Sequence, residues 1–135
     1  MILIFEGMDK TGKTTLIHEI NKITKFKPLI IDRGTIGYSV YDYIYKRGRS
    51  EYYSNLESQM LNVNHLVVYC KCDKELIEKR LKQCNEQFPK EQKSIEYVLN
   101  LYDEFIGKSK MNILELDTGK YTIEECVNKI LERMD

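Results

Sequence analysis

The run Ile2-Leu3-Ile4-Phe5 leads through Glu6 into Gly7-Met8-Asp9-Lys10-Thr11-Gly12-Lys13-Thr14. A short, unbroken apolar run is what a strand buried on both faces looks like. The eight residues after Glu6 fit G-x-x-x-x-G-K-[ST], a pattern expected by chance in roughly one chain of this length in two hundred. Context sharpens the match, because from Lys13 to about Lys25 the apolar positions Leu16, Ile17, Ile20 and Ile23 recur at helical spacing. A loop between such a strand and such a helix stands where a phosphate loop must stand. Its glycines let the backbone curl so that N–H groups and the helix N-terminus point at phosphate oxygens. Lys13, read as facing solvent, reaches the β- and γ-phosphates, and the Thr14 hydroxyl ligates Mg²⁺.

Working outward, Pro28 breaks the first helix before a second apolar run, Leu29-Ile30-Ile31. Residues 35–62 are polar and rich in tyrosine, and read as two helices joined near Arg47-Gly48-Arg49-Ser50, the second capped by Ser50. Leu66-Val67-Val68-Tyr69 builds a third strand. Asp73 then caps a helix with the stripe Leu76, Ile77, Leu81 and Cys84. Residues 85–93 carry no apolar period and read as a mobile connector. Ser94 opens a helix that stops at Gly107, and residues 112–116 supply a fourth strand. Thr122 and Glu125 form a capping box for the last helix. Alternating strand and helix signals imply right-handed crossovers, a parallel sheet of about four strands near 2–6, 28–32, 65–71 and 111–117, and helices on both faces. The expected fold is a three-layer α/β arrangement of P-loop kinase type, with the second strand beside the first. Ligands then sit beyond the carboxyl ends of the strands.

At 135 residues the chain has room for one domain, 1–135, and that domain needs neither disulfide nor structural metal to fold. Its 21 Lys and Arg residues balance 21 Asp and Glu residues, so no net positive field draws in a nucleic-acid polymer or an anionic membrane. No apolar run approaches the roughly 18 to 20 residues that span a bilayer. No targeting segment is expected before the first strand. Cys70, Cys72, Cys84 and Cys126 lack metal-site spacing and read as reduced, mostly buried thiols in a cytoplasmic protein.

Other residues at strand ends invite chemistry. Asp32 closes the second strand, where a carboxylate holds a metal's water shell or accepts a proton, and Arg33 beside it can fork onto a phosphate. Arg47 and Arg49 flank Gly48, and Arg80 lies on the helix entering the connector. Phosphoryl transfer gathers negative charge on the moving group, so such cations are its natural stabilisers. For Arg80 a solvated helix face competes evenly with that role, and for Lys82, Lys90 and Lys93 the solvated face is favoured. Tyr38, Tyr41, Tyr43, Tyr45, Tyr52 and Tyr53 crowd one short stretch. Tyr38, Tyr41 and Tyr45 share a helical face, to stack on a nucleobase or to pack against the sheet. His18 fits an exposed helix face and His65 a strand start, so neither reads as a catalytic base.

The segment from Ile4 to Thr15, with its Phe-Glu-Gly-x-Asp opening and Lys10 at a basic position, closely resembles the phosphate loop of the thymidylate kinase-like P-loop kinases. Asp32-Arg33 followed by Gly37, Tyr41 and Arg47-Gly48 resembles the segment after that family's Asp-Arg strand, above all in small phage-type deoxynucleoside monophosphate kinases. Residues 113–120 are similar to its last strand and adenine-side loop. Full-length thymidylate kinases place another strand and further helices where this chain has only Phe26 to Pro28.

The resemblance implies Mg-ATP-dependent phosphoryl transfer to a thymidylate-like deoxynucleoside monophosphate, with ATP and Mg²⁺ as cofactors, nucleotide substrates as partners and a homodimer as a candidate assembly. It places Gly7, Lys10, Thr11, Gly12, Lys13, Thr14 and Thr15 on the donor, Thr14 and Asp32 at the metal, and Asp9 near the acceptor's 3′-hydroxyl. Arg33 then takes the acceptor phosphate with Tyr41 and Arg47 nearby, Arg80 the transferring phosphoryl, and residues 85–93 form a lid. Lys13, Asp32, Arg33 and Arg80 carry the chemistry in this reading. Two alternatives stand beside it: a kinase acting on a nucleoside or modified-DNA hydroxyl, and a nucleotide-binding module without turnover.

Overall fold

The computed structural model describes residues 1–84 and 94–134. Four strands form one parallel sheet in the order β2-β1-β3-β4, built from β1 (Ile2–Glu6), β2 (Leu29–Asp32), β3 (His65–Lys71) and β4 (Ile113–Asp117). Six helices lie among the described residues: α1 (Lys13–Thr24), α2 (Thr35–Tyr45), α3 (Ser50–Met60), α4 (Lys74–Gln83), α5 (Ile95–Lys108) and α6 (Ile123–Met134). They cover both faces. One core packs Ile4, Val67, Tyr69, Val98 and Tyr102 beneath α2, α4 and α5, and the other packs Leu3, Phe5, Leu66, Val68 and Leu116 against Leu16, Ile20, Val127 and Ile130 of α1 and α6. This is the three-layer α/β architecture that the strand and helix signals imply.

Burial divides the strands by position. β1 and β3 sit centrally and are covered almost throughout, whereas β2 and β4 form the edges, with Leu29 60% exposed. Pairing of Phe5 with Asp32 sets the end of β2 level with the end of β1, so the residues that follow both strands meet.

Local details depart from the sequence reading in four places. α3 is preceded by Arg49 as its cap residue, Ser50 being its first helical position; the Arg49 N–H donates to Asp42 Oδ1 at 3.0 Å instead. α5 runs through Gly107 to Lys108, and β4 starts at Ile113. Cys84 ends α4 exposed, because it falls past the last buried turn, while Cys70, Cys72 and Cys126 are buried free thiols. The capping box is present: the Glu125 N–H donates to Thr122 Oγ1 at 3.1 Å and the Thr122 N–H to Glu125 Oε1 at 3.0 Å. His65 is buried in a structural role, its Nε2 accepting from the Asn112 N–H at 3.0 Å and its Nδ1 facing the Val63 carbonyl at 2.8 Å. No helix among the described residues is long and apolar enough to cross a membrane.

Candidate functional site

The chain turns sharply out of β1. Gly7 has φ +131°, and a Cβ there would collide with the Cys70 carbonyl oxygen of β3; Gly12 has φ +91°. Both positions sit where L side chains are strained. α1 starts directly after Gly12 with no side-chain cap and no acidic residue in its first turn. The positive end of its dipole and its free N–H groups therefore point outward unquenched, the condition for binding an anion.

Side chains brace this loop from four directions. Thr11 Oγ1 donates to the Met8 carbonyl at 2.6 Å, Thr118 Oγ1 after β4 to the Thr11 carbonyl at 2.6 Å, and Arg80 Nη1 from α4 to the Lys10 carbonyl at 2.6 Å. Lys13 does not face solvent: it is 7% exposed, and its Nζ donates to the carbonyls of Gly7 at 2.5 Å and Met8 at 3.3 Å. The sequence reading missed this because a lysine that opens a helix normally extends into water, whereas here the loop curls over it. Burial pulls its amine below the ordinary lysine range, with Arg33 adding repulsion.

A cavity of about 870 Å³ opens above the loop. Asp9, Lys10, Gly12, Lys13, Thr14, Thr15, Asp32, Arg33 and Arg80 all line it. Gly7 and Thr11 stand behind it as buried scaffold. The structure thus gathers residues that follow β1, β2 and β4 together with Arg80 of α4, which is half-buried and turned toward the loop. Arg33, at φ +73°, bends back over the sheet; its Nη2 lies 3.6 Å from Asp9 Oδ1 and its guanidinium 4.6 Å above the Tyr41 ring. Burial opposes its charge and is outweighed by Tyr102, Tyr41, Asp9 and Glu6, which hold its pKa above the usual arginine value. Arg47 lies outside this wall, its guanidinium over the Tyr45 ring at 4.7 Å. Tyr38 lines the cavity and packs its ring 5.7 Å from that of Tyr53. Lys82 is exposed. Lys90, Lys93 and the lid expected at 85–93 lie outside the described residues.

Sequence reasoning passed over Gln83, Cys84 and Tyr121 in the cavity wall. It also passed over Glu6, which is 1% exposed and accepts from the Gly37 N–H at 2.9 Å. A carboxylate ending an otherwise apolar strand was the available signal. Burial pushes the Glu6 carboxyl up to about 7 against the lowering pull of the Gly37 and Gly34 backbone, Arg33 and Lys13.

No family model matches the chain. It is 27% identical over 128 residues to YorR, an SPbeta prophage-derived uncharacterized protein of Bacillus subtilis strain 168, a match covering 90% of this chain and 74% of YorR. The crystal structure of YorR in complex with phosphorylated GDP superposes with a TM-score of 0.79, covering 98% of this chain and 95% of that one at 21% identity. The fold is therefore one that also occurs in a nucleotide-bound protein.

Proposed function

We propose that the chain is a thymidylate kinase-like phosphotransferase that moves the γ-phosphoryl of Mg-ATP onto a deoxynucleoside monophosphate. The observation that carries this reading is one cavity lined at once by Lys13 and Thr14 of the loop and by Arg33 of the neighbouring strand. Two anionic groups need opposing cations to be held close enough to react, and this cavity is lined by both Lys13 and Arg33. YorR's phosphorylated GDP supports a nucleotide ligand.

In this reading the α1 N-terminus and the loop backbone bind the donor phosphates. Lys13, already fixed by two loop carbonyls, presents its charge to them without a large conformational search. Arg33 binds the acceptor phosphate as a fork, its plane held by Tyr41, and Asp9 orients the guanidinium from the cavity side. Arg80, anchored on Lys10, stands where charge builds on the moving group. The oxygen donors Thr14 and Asp32 line the same cavity and suit Mg²⁺, which neutralises phosphate charge when bound.

A hydroxyl acceptor is the second reading, favoured by two carboxylates, Asp9 and Asp32, in the same wall, either of which is a base for such a proton. A transfer assay of Mg-ATP against all nucleosides and their monophosphates, guanine included, tests both. Transfer to a monophosphate supports the first reading, transfer to nucleosides alone supports the second, and nucleotide binding without transfer to either makes the chain a binding module.

A further inference from the structure

Glu6 ends β1, buried directly before the loop, and neither the donor nor the acceptor role explains its charge. α2 begins after Gly34, which has no side chain with which to cap it. Glu6 Oε2 reaches in from β1 and takes the Gly37 N–H at 2.9 Å, serving as the missing cap. The two glycines make this approach possible: a Cβ on Gly34 would lie 2.6 Å from Ile4 Cγ2, and one on Gly37 would lie 2.6 Å from both Glu6 Oε1 and Arg33 Cγ. Capping uses one carboxyl oxygen. Glu6 Oε1 and Arg33 Nε remain buried without a hydrogen bond among the described residues, on side chains that crowd the same point above Gly37. The two groups form no ion pair within 4.0 Å, yet their opposite charges act on each other across this buried space, and a buried unpaired acceptor beside a buried unpaired donor is costly.

We propose that Glu6 is a positioning residue for Arg33: once ionised, its free oxygen draws in the inner Nε edge of the guanidinium, so that the outer nitrogens face the cavity and meet the acceptor's phosphate. This rests on the kinase reading above. Arg33 then rests on the Tyr41 ring and beside Asp9 at Nη2, and the charge of Glu6 fixes its remaining edge. The groups facing Glu6 are Lys13 from the loop, Arg33 and the Gly34 and Gly37 backbone from the β2–α2 turn, Tyr41 from α2 and Tyr102 from α5. The hydroxyls of Tyr41 and Tyr102 approach each other there without forming a bond of sound geometry.

The Glu6→Gln variant separates capping from charge, because an amide oxygen still accepts the Gly37 N–H. The acceptor KM is expected to rise about tenfold, as for loss of one charge-assisted contact, with the ATP KM unchanged. A carboxyl raised by burial stabilises the fold fully below its unfolded pKa and loses that contribution as pH rises through its folded value, about 7. At pH 8 the variant should therefore melt no lower than wild type, while its acceptor specificity loses the rise near pH 7 that wild type shows beyond the substrate's own ionisation. A second readout needs no turnover: the Arg33 Nε–H NMR signal, assigned by its loss in Arg33→Lys, should shift between pH 6 and 8 in wild type and not in Glu6→Gln. An unmoved signal, or equal losses for donor and acceptor, overturns the positioning role. A signal that moves as expected in a protein that phosphorylates no monophosphate leaves the Glu6–Arg33 clamp standing and removes the kinase reading instead.

Discussion

The two walls of the cavity are made in different ways. The donor wall, from β1 through the loop into α1, is a backbone construction: two glycines at positive φ, a helix that starts uncapped, and side chains that bond main-chain carbonyls. The side proposed for the acceptor, where Arg33 and, from α2, Tyr38 enter the cavity, is a side-chain construction: Tyr38 meets Tyr53 of α3 behind it, Tyr41 stacks on Tyr45 and Arg33 lies over Tyr41, while α3 itself buries no residue. Backbone walls tolerate few changes because an added side chain meets main chain that cannot move aside, as at Gly7. Side-chain walls can be re-lined without disturbing the sheet, which suits them to the choice of substrate.

The sharpest test of this contrast is Lys13→Ala. Its amine is a buried charge bonded to the loop backbone, and removing it should lower phosphoryl transfer by about 10² to 10³. Since Nζ also ties two loop carbonyls, a stability loss of about 1 to 2 kcal/mol should accompany it. Circular dichroism and steady-state kinetics read the two effects separately. Wild-type turnover in a folded variant would remove the loop from the donor role.

Gly7→Ala comes next. A methyl group there strikes the Cys70 carbonyl in the central strand at a φ that alanine avoids. On the order of 3 kcal/mol is expected from strain and collision together, or a melting temperature lower by roughly 10 °C. A variant as stable as wild type would show that the donor wall is softer than its geometry implies.

Much of the donor wall was legible in the sequence because its determinants are local. Strand, glycines, lysine and helix follow one another within a dozen or so positions, and each acts on neighbours in the chain. The tight coupling at Glu6 was not legible, since Gly37 stands 31 positions away and nothing near Glu6 announces it. Arg80 poses the same problem at a separation of 70, where the helical pattern allowed the loop and the solvent equally. Edge and centre were likewise indistinct: Leu29-Ile30-Ile31 reads like Leu66-Val67-Val68, yet only the second run is sealed on both faces. Strand order is a property of crossovers, and apolar runs do not encode it. The tyrosines of 38–53 divide: Tyr41 packs partly buried against the core, whereas Tyr52 and Tyr43 are 65% and 59% exposed.

On the acceptor side, Arg33→Lys keeps the charge and loses the fork. A lysine meets phosphate oxygens as a point charge and cannot lie as a plane on Tyr41. The expected loss is about 1.5 to 3 kcal/mol in transition-state binding, or ten- to a hundredfold in acceptor kcat/KM, with ATP binding unchanged. If the loss appeared in ATP binding instead, Arg33 would belong to the donor wall. Asp32→Asn run in parallel separates the acceptor classes, because it should silence a nucleoside kinase by removing the base, whereas a monophosphate kinase keeps its cations and loses only the share of Mg²⁺ binding that Asp32 supplies.

The smallest effect belongs to Gly48→Ala, and it is the counterpart of Gly7→Ala. Gly48 also sits at positive φ, +71°, in the turn between α2 and α3, yet a Cβ there would meet nothing within 4 Å. Only the left-handed backbone term remains, about 1 kcal/mol, partly offset because alanine narrows the unfolded ensemble. Two glycines at positive φ should thus differ about threefold in cost, because Gly7 combines a collision with a φ of +131°, far from the left-handed well beside which Gly48 sits at +71°. Thermal melts of the two variants at one pH supply the comparison. Equal costs would mean that α3 is held as firmly as the loop, and that its lack of buried residues does not make the acceptor wall the adaptable one.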